Sequence, residues 1–406
     1  MDALTTPLNW QRVRLGDVAE IKRGASPRPI ENPKWFCTNS NVGWVRISDI
    51  SKNSRFLYKT AQKLSKKGIE KSRFIKQNSL IMSMCATIGK PIITKIDTCI
   101  HDGFVVFENP KIDLNYLYYF LCYIEKEWLE SGQQGSQVNL NVDLIKNKEV
   151  FYPKDLNEQI AIANILSDVD NYLHALRALI LKKESVKKAL RIKMLNQILA
   201  SNGVEFRELG DIILSLKTGL NPRSFFKLNT PNANNYYVTI RELEDYTIKF
   251  THQTDRIDDN ALSLCLKRSN LEKDDILFSG TGTIGKVSII EKNPNNWAIK
   301  EGIYSIKPNK KIVFPRFLMF CLESSNIQND IKNKSFGGIV KSIPMNDLQQ
   351  IQIPLPPLNE QIAIANILSD LDHEIISLKN KKRQFENIKK ALNHDLMSTK
   401  IRVLEK

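Results

Sequence analysis

The sequence predicts an α+β protein with two mixed, strand-rich domains at opposite ends of a long antiparallel two-helix coiled coil. The two halves are related by a pseudo-two-fold internal repeat. Three observations predict this. The run LNEQIAIANILSD occurs at residues 156–168 and returns letter for letter at 358–370, 202 positions later. Each copy opens a helical apolar pattern with no Pro or Gly before Gly203 or the last residue. The segments preceding the two copies carry the same anchors in the same order.

Residues 1–156 form the first domain. The alternation from Val13 to Ile21 is a short strand signal, and it leads into a basic loop holding Lys22, Arg23, Ser26 and Arg28. The runs VGWVRI at 42–47, SLIMSM at 79–84, GKPIIT at 89–94 and FVVF at 104–107 are rich in β-branched and aromatic residues and read as strands. Residues 114–128 read as a helix. A Gly/Gln loop with Gln134, Gln137 and Asn139 closes the domain.

Residues 157–200 form the first spacer helix. Asn157 stands at its N-cap, with Glu158 in the first turn facing the positive end of the helix dipole. Pro153 stops the preceding strand. Ile162, Ile165, Val169, Tyr172, Leu176, Leu179, Val186, Leu190 and Met194 recur at near-heptad spacing, a seam for another helix. At 1.5 Å per residue the helix runs roughly 65 Å.

Residues 201–358 form the second domain and repeat the order of the first. Leu209-Gly210-Asp211 answers Leu15-Gly16-Asp17, and a loop with Lys217, Asn221 and Arg223 answers the first basic loop. Thr283-Ile284-Gly285-Lys286 answers Thr87-Ile88-Gly89-Lys90, and a loop with Lys341 and Ser342 answers the Gly/Gln loop. Residues 359–406 form the second spacer helix. It is capped by Asn359 and Glu360, and its seam is Ile364, Ile367, Leu371, Ile375, Leu378, Phe385, Ile388, Leu392 and Leu396. Between the anchors the domains differ in nearly every residue, while the helix starts are identical. That pattern suits two domains doing one job on different targets, held by helices that share one partner.

Composition narrows the job. The formal charge is +15, of which the two helices carry +3 and +2, so about +10 lies on the domains. A basic folded surface points to a polyanion. Six cysteines without a CxxC pair fit buried thiols in a reducing cytosol. No run of eighteen apolar residues is present and the N-terminus lacks a signal-peptide pattern, so the expected location is cytoplasmic.

Catalytic patterns are weak. Residues 280–287 (GTGTIGKV) approach the phosphate loop GxxxxGK(S/T), but Val287 replaces the magnesium-binding hydroxyl and the run continues as strand. A glycine turn offering N–H groups and one lysine to a phosphodiester fits as well as a plain structural hairpin. The five histidines show no metal-ligand spacing, and His101-Asp102 faces Lys300-Glu301 in the repeat, so no catalytic pair is shared.

The duplication, the two NEQIAIANILSD helix starts, the PLPPLNEQ run at 354–361 and the paired Thr-Ile-Gly-Lys turns together make the chain resemble the specificity subunit of a type I restriction–modification enzyme. The resemblance covers essentially the whole chain. It implies two target-recognition domains, each reading one half of a bipartite double-stranded DNA target, and a helix pair that sets the unread spacer. It implies no catalysis by this chain. Two methyltransferase subunits and, in the full complex, two restriction subunits are the implied partners, and S-adenosylmethionine, ATP and Mg are expected on them. YPKDLNEQ at 152–159 departs from the proline-rich run.

Base reading needs side chains with paired donors or acceptors, which makes Lys22, Arg23, Ser26, Arg28, Gln134, Gln137 and Asn139 the candidates in the first domain. Lys217, Asn221, Arg223, Lys286, Lys341 and Ser342 are those of the second. Asn157, Glu158, Gln159, Asn359, Glu360 and Gln361 are the candidates for partner docking. The competing reading is a coiled-coil scaffold whose two domains bind proteins; binding that falls steeply with salt separates the two.

Overall fold

Strand pairing in the two halves follows one plan, and a computed structural model describes it for residues 9–51, 55–131, 140–200, 204–222 and 225–403. The chain divides into two units, residues 1–175 with 382–406, and residues 176–381.

In the first unit a five-stranded sheet runs in the order Glu20–Arg23, Phe104–Glu108, Leu80–Ser83, Pro91–Thr94, Phe56–Leu57. A four-stranded sheet runs Gln62–Lys63, Gly43–Val45, Thr98–Ile100, Arg73–Ile75. Trp10–Arg14 pairs with Glu149–Pro153, which joins the start of the domain to the strand that feeds the long helix. The second unit repeats this. Ile213–Thr218, Ile303–Pro308, Ile276–Ser279 and Val287–Ile289 make one sheet, and Arg256–Ile257, Asn235–Val238 and Trp297–Ile299 another. Glu205–Glu208 pairs with Gln352–Leu355 ahead of the second long helix. The central strands are apolar on both faces, as four consecutive buried residues in Leu80–Ser83 and Ile276–Ser279 show, so they read as continuous runs and not as alternation.

The alternation expected from Val13 to Ile21 is broken. Leu15–Val18 is a helical turn with Leu15 and Val18 both buried, three residues apart on one face, and the strand resumes at Glu20. The helix expected over 114–128 is two, Leu114–Tyr123 and Glu125–Ser131. The Thr-Ile-Gly-Lys turns carry the same internal hydrogen bonds. Ser83 Oγ donates to the Thr87 carbonyl and Gly89 N–H to the Ser83 carbonyl; Ser279 with Thr283 and Gly285 with Ser279 do the same. Gly89 and Gly285 have φ of +75° and +90°, where a side chain is strained.

The long helices span Leu156–Ala200 and Leu358–Met397. Each begins one residue before the expected cap, so Asn157 and Asn359 are inside the first turn. Asp155 accepts from Asn157 N–H in the first, and the Pro357 carbonyl accepts from Glu360 and Gln361 N–H in the second. They pack antiparallel in each unit: the tilted rings of Tyr172 and Phe385 meet with centroids 4.5 Å apart in the first unit, and Lys183 pairs with Glu374 in the second. The seam is shifted from the expected one. Ile162, Leu166, Leu173, Leu176, Ile180 and Lys187 are buried, whereas Ile165, Leu179, Val186, Ile367 and Ile388 are exposed. Lys187 and Asp372 occupy buried positions on the line, and an apolar count skips them.

Candidate nucleic-acid interface and helix seam

In the first unit Asp102 gathers the basic loop. Its carboxylate accepts from Ser26 Oγ at 2.7 Å and from Arg28 at 2.8 Å, and its backbone carbonyl accepts from Arg23 Nε at 2.7 Å. The Ser26 bond, more than any other contact, holds the carboxyl below its usual range. Beside it His101 packs on Phe104 and Trp44, and its Nδ1 accepts from Gly103 N–H at 2.9 Å. Burial pulls the imidazole down to about 4, so it is neutral near pH 7 with its proton on Nε2. His101, Asp102 and Gly103 border a cavity of about 670 Å³ that Arg23, Arg46, Cys85 and Leu140 also line.

Of the expected first-domain contacts, Arg23, Ser26 and Arg28 therefore come together. Lys22 does not join them: its ammonium bonds Glu108 at 2.6 Å and Glu20 at 2.9 Å, because alternate residues of a strand point to opposite faces. Gln134, Gln137 and Asn139 lie outside the described residues. Arg46, His101 and Asp102, absent from the expected set, lie beside Arg23 and Ser26. Their one sequence signal was a polar His-Asp-Gly step directly after an apolar strand.

The second unit rebuilds this frame with other side chains. Gly280 N–H donates to the Gly302 carbonyl and Ile343 N–H to Gly280, as Met84 does to Gly103 and Leu140 to Met84. Lys300 and Glu301 replace His101 and Asp102, and both are exposed. Lys341 is exposed on a hairpin closed by mutual backbone bonds between Phe336 and Ser342. Lys217 and Asn221 are half-buried near the start of the same frame. Arg223 lies outside the described residues. Lys286 departs from the expectation, because its ammonium donates to the Ile240 carbonyl at 3.1 Å and lines a cavity of about 470 Å³ with Lys187, Tyr246 and Asp372. The turn that carries it bonds the Lys341 hairpin through Gly282 N–H, while the Lys286 side chain itself lies against the helix seam.

Two polar clusters bind the helices to their domains. In the first unit Lys389 pairs with Asp170 at 2.6 Å, Tyr119 donates to Asp170 at 2.8 Å, and buried Arg55 donates to Tyr119, Ser167 and Asn115. In the second, Lys187 pairs with Asp372 and donates to Tyr246, which donates to Glu323; Arg191 completes the group. Asp170 and Asp372 are repeat equivalents, as are Lys187 and Lys389. Burial opposes both charges of the second pair, drawing Lys187 down and Asp372 up, while their contact works the other way.

The docking candidates separate into two groups. Gln159 and Gln361 are 2% and 1% exposed. Gln159 Oε1 accepts from Asp113 N–H and its Nε2 donates to the Pro153 carbonyl; Gln361 makes the same bonds with Phe314 and Pro356. They are internal clamps, correcting the docking expectation, because a buried amide must satisfy its groups inside the fold. Glu158 accepts from Asn9 and Trp10. Outside these, Leu156, Asn157, Ile160, Asn164, Ile165 and Asp168 form an exposed strip, repeated as Leu358, Asn359, Ile362, Asn366, Ile367 and Asp370. Glu360 is exposed as well.

Residues 7–183 and 201–387 match the family described as Type I restriction modification DNA specificity domain, and the chain belongs to that family. Among its relatives, the "Putative type I restriction enzyme MjaX specificity subunit" of Methanocaldococcus jannaschii is 28% identical over 98% of this chain and 95% of its own length. The MjaVIII specificity subunit of the same organism is 24% identical over 99% and 95%. The fold is that of the S subunit of a type I restriction–modification system from M. genitalium, with a TM-score of 0.62, 17% identity and 97% of each chain covered. A chain from a structure of type I complex assembly and conformational transition gives 0.56 at 16% identity, covering 97% and 98%.

Proposed function

We propose that this chain is the sequence-reading subunit of a type I restriction–modification complex and that each unit reads one half of a bipartite double-stranded DNA target. The observation that carries the reading is one backbone frame, built twice, that presents Arg23, Arg28, Arg46 and His101 in one unit and Lys217, Lys300 and Lys341 in the other. A shared frame with different donors is what two half-sites of different sequence require. The identical exposed strips at the two helix starts suit two copies of one partner, the methyltransferase subunit, and restriction subunits complete the full complex. S-adenosylmethionine, ATP and Mg belong to those partners, and the chain itself contributes recognition.

Sequencing methylated bases in cells with and without this chain tests the reading. A two-part motif should appear only when the chain and its methyltransferase subunits are both present. Replacing residues 1–150 with the matching domain of a relative should change one half of the motif alone. Methylation that persists without the chain, or a swap that changes both halves, refutes it.

A further inference from the structure

The second unit carries three large apolar side chains that its core does not use. Phe336, Ile339 and Val340 are 59%, 104% and 60% exposed, within five residues of one another. Single exposed apolar residues are ordinary, but a contiguous exposed group marks a contact surface. These sit on a closed hairpin. Phe336 and Ser342 exchange backbone hydrogen bonds at 2.9 and 2.8 Å, and the Lys341 carbonyl accepts from Gly282 N–H at 2.8 Å. The reversal depends on Gly337, whose φ is +123° and whose missing Cβ would fall 2.4 Å from the Val340 carbonyl oxygen. The base of the tip is thus fixed while Ile339 stands fully in water.

We infer that this tip is an apolar finger that presses Ile339 and Val340 against the bases of the DNA half-site read by the second unit, with Phe336 behind them. The inference rests on the DNA-recognition reading and adds the residues and the kind of contact. Position favours DNA over a protein surface. The hairpin springs from the Gly280–Gly302–Ile343 frame, the equivalent of which in the first unit borders the cavity lined by Arg23, Arg46 and His101. Charge agrees, since exposed Lys332 and Lys341 flank the tip and provide cations for phosphates on either side of an apolar base contact. Apolar side chains read thymine methyl groups or wedge into base steps, and neither use involves charge.

That absence of charge gives the test. The chain with Ile339→Ser and Val340→Ser, assembled with its methyltransferase subunits, is compared with wild type and with Lys341→Ala for binding to the methylated motif across a salt series. The double variant should bind at least about tenfold more weakly, the loss expected for removing one or two buried aliphatic contacts. Its slope of log affinity against log salt should match wild type, while Lys341→Ala should lower that slope by about one. Base preference should relax in one half-site only. Because Ile339 is fully exposed and Val340 mostly so, and neither belongs to a buried core cluster, the fold should survive the change. Unchanged affinity and motif overturn the inference and leave the DNA-recognition reading standing. Impaired assembly with the methyltransferase subunits, with normal DNA binding once assembled, also overturns it and assigns the finger to a protein contact. A wild-type complex without motif-dependent binding defeats both.

Discussion

Single residues decide how firmly each frame is held, and His101 shows it through acid sensitivity. In the fold it resists protonation down to about 4, against a usual value of 6.5, chiefly because it is buried. Its folded value is therefore depressed, so its contribution to stability is whole above pH 6.5 and is lost as pH falls from there towards 4. Between pH 7.5 and 5 the first domain should lose about 2 kcal/mol from this group. His101→Phe should remove that part of the acid dependence, measured by urea unfolding with amide exchange followed in Phe104–Glu108. Equal pH dependence in both proteins would refute the assignment. In the sequence His101 and Asp102 stand out only as a polar step after an apolar strand, since the bonds that orient them come from Ser26 and Gly103 through strand pairing. The glutamine clamps were hidden for the same reason. Gln159→Ala should cost about 1–3 kcal/mol by leaving Asp113 N–H and the Pro153 carbonyl unsatisfied; thermal melting would show it, and a neutral result would mean that water replaces the amide.

At the scale of elements, the long helices were the most legible part of the chain. Forty residues without Pro or Gly and an exact repeat define them, and their ends fall within one residue of expectation at the start. The phase of the seam was less legible because two nearly parallel apolar lines run along each helix, and the buried one includes charged residues. Asp372 and Lys187 are paired across the seam with side chains 11% and 9% exposed, so removing one partner leaves an uncompensated buried charge. Lys187→Met should cost about 3–5 kcal/mol, while Lys188→Met, at the exposed neighbouring position, should stay within about 0.5 kcal/mol. Chemical denaturation of the two variants checks this, and equal effects would mean that the pair is solvated. The strands were partly legible. Central ones announced themselves by apolar content, but helical turns such as Leu15–Val18 are too short to override an alternating pattern in a sequence.

For the whole molecule, duplication is the organising fact, and under the proposed function it predicts a distance. The first long helix continues unbroken through Ala175 and Leu176, where the chain passes from one unit to the other. In the second unit Lys183 pairs with Glu374 and Lys187 with Asp372, and this antiparallel register brings Ala178 level with Asn380. Those two residues are also repeat equivalents, so one insertion point serves both helices. Four helical residues placed after each would add about 6 Å at 1.5 Å per residue. Two base pairs add nearly the same, at about 3.4 Å each. Four residues turn the helix slightly past one repeat of 3.6, so the seam nearly keeps its face. Matched insertions should therefore lengthen the unread spacer of the methylated motif by about two base pairs and leave both half-sites unchanged. An insertion in one helix alone should abolish activity, because the Lys187–Asp372 and Asp170–Lys389 pairs could no longer both be kept in register. Sequencing the methylated motif of each variant decides it: an unchanged spacer at full activity would mean that something other than this helix pair sets the distance.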